Sequence, residues 1–156
     1  MTLKNNFMLR AIELSVNSAN NAGGPFGCVI VRDNKIIAEG SNIVTSSNDP
    51  TAHAEIVAIR DACQKLNTFN LSGSDLYSSC EPCPMCLSAI YWSHIDNIFY
   101  ANTRDDAKKI NFDDSFIYSE FSKKIEDRKI PIKQILRDEA IKAFELWNKK
   151  IDKIEY

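Results

Sequence analysis

The chain has 156 residues, 44% of them hydrophobic and 26% charged, with 19 basic against 21 acidic side chains and a net charge of −2. This is the balance of one ordinary globular domain with a core large enough to need no disulfide scaffold. Five glycines and five prolines exclude a collagen-like or low-complexity chain, and a chain without a basic excess is a poor match for a phosphate backbone.

Residues 1–21 carry Lys4, Arg10 and Glu13 at helical spacing and do not read as an export signal. The apolar stretches, such as residues 28–31, are strand-length and far short of the roughly 20 residues of a membrane-spanning helix. Five cysteines are an odd number. A reducing cytoplasm is therefore expected, in which cysteines are judged first as metal or catalytic candidates.

The pattern predicts an amphipathic helix over residues 3–20, with Phe7, Ala11, Leu14 and Ser18 on one face. Asn21-Ala22-Gly23-Gly24-Pro25 stops it. Residues 28–32 and 35–38 are rich in Val and Ile and meet at Asp33-Asn34, a hairpin signal. Asn48-Asp49-Pro50-Thr51 predicts a helix start, with Asp49 as cap and Pro50 in the first turn. Residues 75–79 predict a short strand, Pro82-Cys83-Pro84 opens a second helix through Ile90 and Tyr91, and residues 95–101 form another apolar strand. Pro131 precedes a fifth expected strand, residues 132–136, and Asp138 is placed to cap a last helix to about Lys149. Residues 1–122 hold 9 basic and 14 acidic side chains, residues 123–156 hold 10 and 7. The tail charges are interleaved in sign, as on a solvated face. Strands alternating with helices predict a single domain over residues 1–156, a three-layer α/β/α sandwich around one mixed five-stranded sheet.

Two short runs carry chemistry: His53-Ala54-Glu55 and Pro82-Cys83-Pro84-Met85-Cys86. Cys83 and Cys86 are i and i+3 on a helix, so both sulfurs can grip one ion. One imidazole and two thiolates suit tetrahedral Zn²⁺, and both runs lie at expected helix N-termini, where positive partial charge favours thiolate. Glu55 makes sense beside His53 only in a first helical turn. A carboxylate next to, but not on, a three-ligand zinc is placed for general acid–base work. Cys80 leaves an alternative, a closed four-ligand structural site with no turnover, although such a site has no use for Glu55.

The combination of His-Ala-Glu-Ile-Val-Ala-Ile and, 22 residues on, Pro-Cys-x-x-Cys resembles the zinc signature of the cytidine and deoxycytidylate-type deaminases. Pro25-Phe26-Gly27, Gly40-Ser41-Asn42, Asp49-Pro50-Thr51-Ala52 and Cys80-Glu81-Pro82 extend it. Within that superfamily the chain is most similar to the bacterial guanine deaminases, in Ser47-Asn48-Asp49-Pro50-Thr51, in residues 86–92, in residues 112–118 and in the terminal Glu155-Tyr156.

The resemblance implies one zinc per subunit on His53, Cys83 and Cys86 with a bound water, and Glu55 as the proton shuttle in hydrolysis of guanine to xanthine and ammonia. It also implies purine contacts from Asn42 and the Ala54 backbone, stacking by Phe26, and a second carboxylate, Asp114, on the polar edge of the base. Trp92 and Tyr156 would close the pocket in a homodimer that exchanges residues 138–156 between subunits. From the residues alone, Asn42 also reads as a turn residue, Asp114 as a helix cap, and Phe26 and Trp92 as core. The alternative substrates are tRNA adenosine and another free base such as cytosine. The segment from Ala140 to Tyr156 holds four Lys against three acidic residues, too little excess to grip a tRNA stem.

Overall fold

The first helix, α1 (Leu3–Ala19), starts where Thr2 accepts a hydrogen bond from the Asn5 amide at 3.3 Å, a side-chain cap on an otherwise unpaired donor. It buries Phe7, Ala11 and Ser18. Strands β1 (Gly27–Arg32) and β2 (Lys35–Ser41) form the expected antiparallel hairpin. Its turn residues Asp33 and Asn34 both have positive φ, 50° and 57°, the conformation whose twist matches paired strands. A short α2 (Val44–Ser47), not anticipated from the sequence, leads toward α3 (Ala54–Leu66), followed by β3 (Ser74–Cys80), α4 (Pro84–Trp92), β4 (Asn97–Asn102) and α5 (Arg104–Lys109).

The computed structural model describes residues 2–156, which fall into two compact units meeting at Asp114 and Ser115. The first holds a mixed sheet in the order β2-β1-β3-β4, antiparallel except for the β3–β4 pair. Alternation along β1 sets the layers. Val29 and Val31 pack with Phe7, Ala11 and Tyr77 under α1. Cys28 and Ile30 pack with Ala54, Ala58, Leu76 and Ile90 under α3 and α4. Each large buried side chain contributes about 1.5–3 kcal/mol. Tyr77 is stacked at 4.7 Å on Phe99 and tilted at 5.4 Å against Phe7, and the Lys4 ammonium caps the Phe99 ring at 4.4 Å.

The second unit contains α6 (Ser115–Ser122), a 3-10 turn (Ile125–Asp127) and α7 (Arg137–Lys149). None of the residues of these three elements is buried.

Three expectations are corrected. The sheet has four strands among the described residues, not five, because residues 132–136 form no ladder. Pro131 brings no donor there, and Ile132, Ile135 and Leu136 stay exposed. Asp49 and Pro50 do not open a helix. Asp49 accepts from both the amide and the hydroxyl of Thr51 at 2.8 and 2.6 Å, and α3 begins only after His53. Asp138 lies in the first turn of α7, whose cap position belongs to Leu136.

A charged pair ties α1 to β2. Arg10 donates through Nε and Nη2 to Glu39 Oε1 and Oε2 at 2.8 and 2.7 Å. That hydrogen-bonded guanidinium holds the Glu39 carboxyl below its ordinary value of 4.5. Because the folded state binds this proton more weakly, the stabilisation is complete above about pH 4.5 and fades as pH falls through the folded value. Both side chains are 35% exposed, so Glu39→Gln is expected to cost about 0.5–1 kcal/mol at pH 7. Urea denaturation should show the gap from wild type closing at pH 4 and below.

Candidate metal centre and active site

His53 and Cys83 occupy equivalent places: each is the extended residue immediately before a helix, α3 and α4 respectively. Pro84 takes the first position of α4, where its missing N–H costs nothing, and Cys86 follows one turn on. The two helix N-termini, with their free amides, therefore face a common point. There His53 Nδ1 lies 3.6 Å from Cys83 Sγ and 3.5 Å from Cys86 Sγ, and the three ligand atoms all fall within 4.8 Å of one another. A tetrahedral ion with bonds of about 2.0 Å to nitrogen and 2.3 Å to sulfur separates the nitrogen from each sulfur by about 3.5–3.6 Å. Both imidazole-to-sulfur spacings match those zinc requires.

Cys80 does not join it. Its sulfur contacts the Thr103 carbonyl at 3.6 Å, and it is not in the metal-ligating group found among the described residues. The closed four-ligand alternative is thereby removed. Burial, followed by the Glu55 charge, pushes the Cys80 thiol up to about 11.

Glu55, in the first turn of α3, is buried. Oε1 accepts from the Ser78 hydroxyl at 3.0 Å, and Oε2 lies 3.3 Å from Cys86 Sγ. A carboxylate thus borders the ligand trio without being part of it.

The family follows from the fold and these residues. The model of the cytidine and deoxycytidylate deaminase zinc-binding region matches residues 1–102. The chain belongs to this deaminase family. Guanine deaminase of Bacillus subtilis is 52% identical to it over 151 residues, which is 96% of this chain and 97% of that one. The X-ray structure of that protein superposes with a TM-score of 0.94 at 51% identity, over 97% of this chain and 98% of the other. A tRNA-specific adenosine deaminase of Buchnera aphidicola is 36% identical over 141 residues, 87% of each chain.

In this deaminase the three side chains hold their protons unequally. The hydrogen bond from Cys86, reinforced by His53, brings the Cys83 thiol down to about 4. Cys86 retains the proton shared with Cys83 and is raised, and the contact with Cys83 raises His53. A bound cation displaces these protons. Burial raises the Glu55 carboxyl, the direction useful to a group that must take up and release a proton near neutrality.

Asn42 is 6% exposed. Its backbone N–H donates to the Phe26 carbonyl at 3.1 Å, while the adjacent Ile43 amide donates to the Ala52 carbonyl at 3.1 Å, which ties this loop to the segment entering His53. Its side-chain Oδ1 accepts from the Val44 amide at 3.3 Å. The turn role expected from the residues alone is thus present.

Phe26 packs against the core under α3 and meets the Phe112 ring edge-on at 5.0 Å. Ala54 is fully buried at the start of α3. Half-buried Asp114 has its carboxyl raised, first by burial and then by the Cys83 charge. Trp92 lies at the end of α4 away from Cys83 and is 64% exposed, so it is not core. Tyr156 belongs to the second unit and is exposed.

Cys28 is fully buried apolar packing, Cys63 packs beside it, and His94 is exposed just past α4. Glu81 is held by the distant Arg104 amide at 3.2 Å rather than by local turn amides. Sequence reasoning missed Ser78, a mid-strand serine with no local signal, and Ser18, whose hydroxyl donates to the Asn42 carbonyl at 3.2 Å.

Proposed function

We propose that this chain hydrolyses guanine to xanthine and ammonia, with His53, Cys83 and Cys86 as zinc ligands and Glu55 as the proton shuttle. The observation that carries the choice of guanine is Asp114. It is the half-buried second carboxylate, raised by burial and then by the Cys83 charge, and it stands in the run of residues 112–118 that resembles guanine deaminases. Similarity to a guanine deaminase along nearly the whole chain supports the same choice.

Zinc, when bound, supplies the positive charge that brings the pKa of water down to around 7. Glu55 takes a proton from the attacking water and delivers it to a ring nitrogen as the new C–O bond forms. It then carries the second proton to the amine, and the C–N bond breaks to release ammonia. Asn42 and the Ala54 backbone orient the purine, Phe26 stacks on it, and Asp114 receives its polar edge. Each holds the base still relative to Glu55, which is where much of the rate comes from.

The protein works as a cytoplasmic homodimer in purine breakdown, with residues 138–156 exchanged so that Trp92 and Tyr156 close a pocket. The exposed apolar side chains of α7 and the following tail support exchange: Phe144, Leu146, Ile151 and Ile154 are all uncovered. Among the described residues no helix is long and apolar enough to cross a membrane.

The test is ammonia release from purified protein offered guanine, adenine, cytosine, cytidine and tRNA side by side. Guanine should yield equimolar xanthine and ammonia, and chelation should stop it while much of the fold remains. Release from tRNA but not guanine would assign the chain to the adenosine enzymes, and a protein that binds zinc but deaminates nothing would be a binding module. Asp114→Ala is expected to lower guanine turnover roughly a hundredfold with zinc content unchanged by metal analysis. Undiminished turnover would reduce Asp114 to a helix cap.

A further inference from the structure

The geometry points to Ser78 as the positioning residue of the proton shuttle. Its hydroxyl pins Oε1 of Glu55, so that the carboxylate turns about a fixed corner and keeps Oε2 on the ligand side. This inference rests on the deaminase reading of the site.

Ser78 lies near the end of β3, paired with Cys28 on β1 and Tyr100 on β4, and is 1% exposed. Its hydroxyl reaches Glu55 Oε1 at 3.0 Å across 23 residues of sequence. A buried hydroxyl spent on a carboxylate is a strong, directional contact. The other side-chain contact of Glu55 is with the Cys86 sulfur, on its other oxygen, at 3.3 Å.

Among the described residues Ser78 supplies the hydroxyl donor found on the Glu55 carboxylate. Without it, a three-torsion side chain regains rotamer freedom, and the reacting oxygen is no longer held at hydrogen-bonding distance from its targets. With it, Oε1 stays fixed while Oε2 can serve both the attacking water and the departing amine. The choice of which oxygen reacts is thus made on β3, outside both signature motifs.

Thr and Val at position 78 have the same shape and differ by hydroxyl against methyl, so any overpacking in this buried strand falls on both. The expected result is a kcat for Ser78→Val about ten- to a hundredfold below that of Ser78→Thr, with KM for guanine and zinc content equal in the two. In a Glu55→Gln background the Thr/Val difference should vanish. Crystal structures should show one Glu55 carboxylate orientation in Ser78→Thr and more than one in Ser78→Val.

Equal kcat for the two variants, or a single unchanged Glu55 orientation in both, overturns the inference. Ser78→Ala adds no volume and serves where the larger residues do not fold. It should lose kcat by the same factor at full zinc occupancy, and wild-type turnover in it would overturn the proposal. Wild-type protein that releases no ammonia from guanine would instead sink the functional reading, and the Glu55 orientations would still decide the role of Ser78.

Discussion

Glu55→Gln is expected to retain zinc and lose guanine turnover by about a hundred- to ten-thousandfold, the usual contribution of a positioned acid–base group. The substitution keeps shape and polarity. The amide oxygen can still accept from Ser78, which lies 3.0 Å from Oε1 in the wild type, and the three ligand residues are untouched. What disappears is a group able to hold and release a proton. The amide is also neutral, so it removes an ionisable carboxyl from a position 6% exposed, and burying a neutral hydrogen-bonded group is less costly than burying a charge. The melting temperature should therefore stay level or rise slightly while kcat collapses. Metal analysis, thermal denaturation and ammonia release on the same preparation check all three. Turnover within a fewfold of wild type would remove Glu55 from the reaction.

Gly40→Ala is expected to damage fold and site together. Gly40 lies where β2 passes directly beneath the first turn of α3. A Cβ built there would come within 2.1 Å of the Ala54 carbonyl oxygen and 2.7 Å of the Ala58 amide nitrogen. Both are backbone atoms of a helix and cannot swing aside, so the helix must lift off the sheet. Overpacking of this kind costs about 3 kcal/mol, which lowers the melting temperature by about 6–12 °C in a domain of this size. Because α3 carries Glu55 and is capped by His53, zinc affinity should fall as well.

Gly73→Ala is the matched control. Gly73 has φ +84° with nothing within 4 Å of the added carbon, so its cost is conformational only, about 1–2 kcal/mol, with zinc binding intact. A Gly40→Ala protein as stable as wild type would show that the close approach of β2 and α3 does not hold the site.

The parts of the fold that were legible in the sequence are those decided within a few residues. Asp33-Asn34 announced a hairpin because only residues tolerant of positive φ suit that turn. Pro84 and the following apolar residues announced α4 because proline suits a helix start. The same locality explains the errors. Asp before Pro and Thr is equally good at capping a helix and at closing a tight turn on its own neighbours. Asp49 took the second option with Thr51, which left His53 as the cap of α3, with its imidazole against Cys83 and Cys86. Residues 132–136 have strand-like composition, but a strand exists only where a neighbour offers a ladder.

The sequence by itself determined the chemistry on offer: an imidazole, two thiolates one helical turn apart and a carboxylate two residues from the imidazole. Spacing within a turn is local geometry and is written in residue order. Only the tertiary structure decided which side chains share the centre. It turned Cys80 toward Thr103 and out of the ligand set, and it brought a serine of β3 under Glu55. Those outcomes depend on strand register and on helix-to-sheet packing between segments more than 20 residues apart, and no short stretch of chain contains that information.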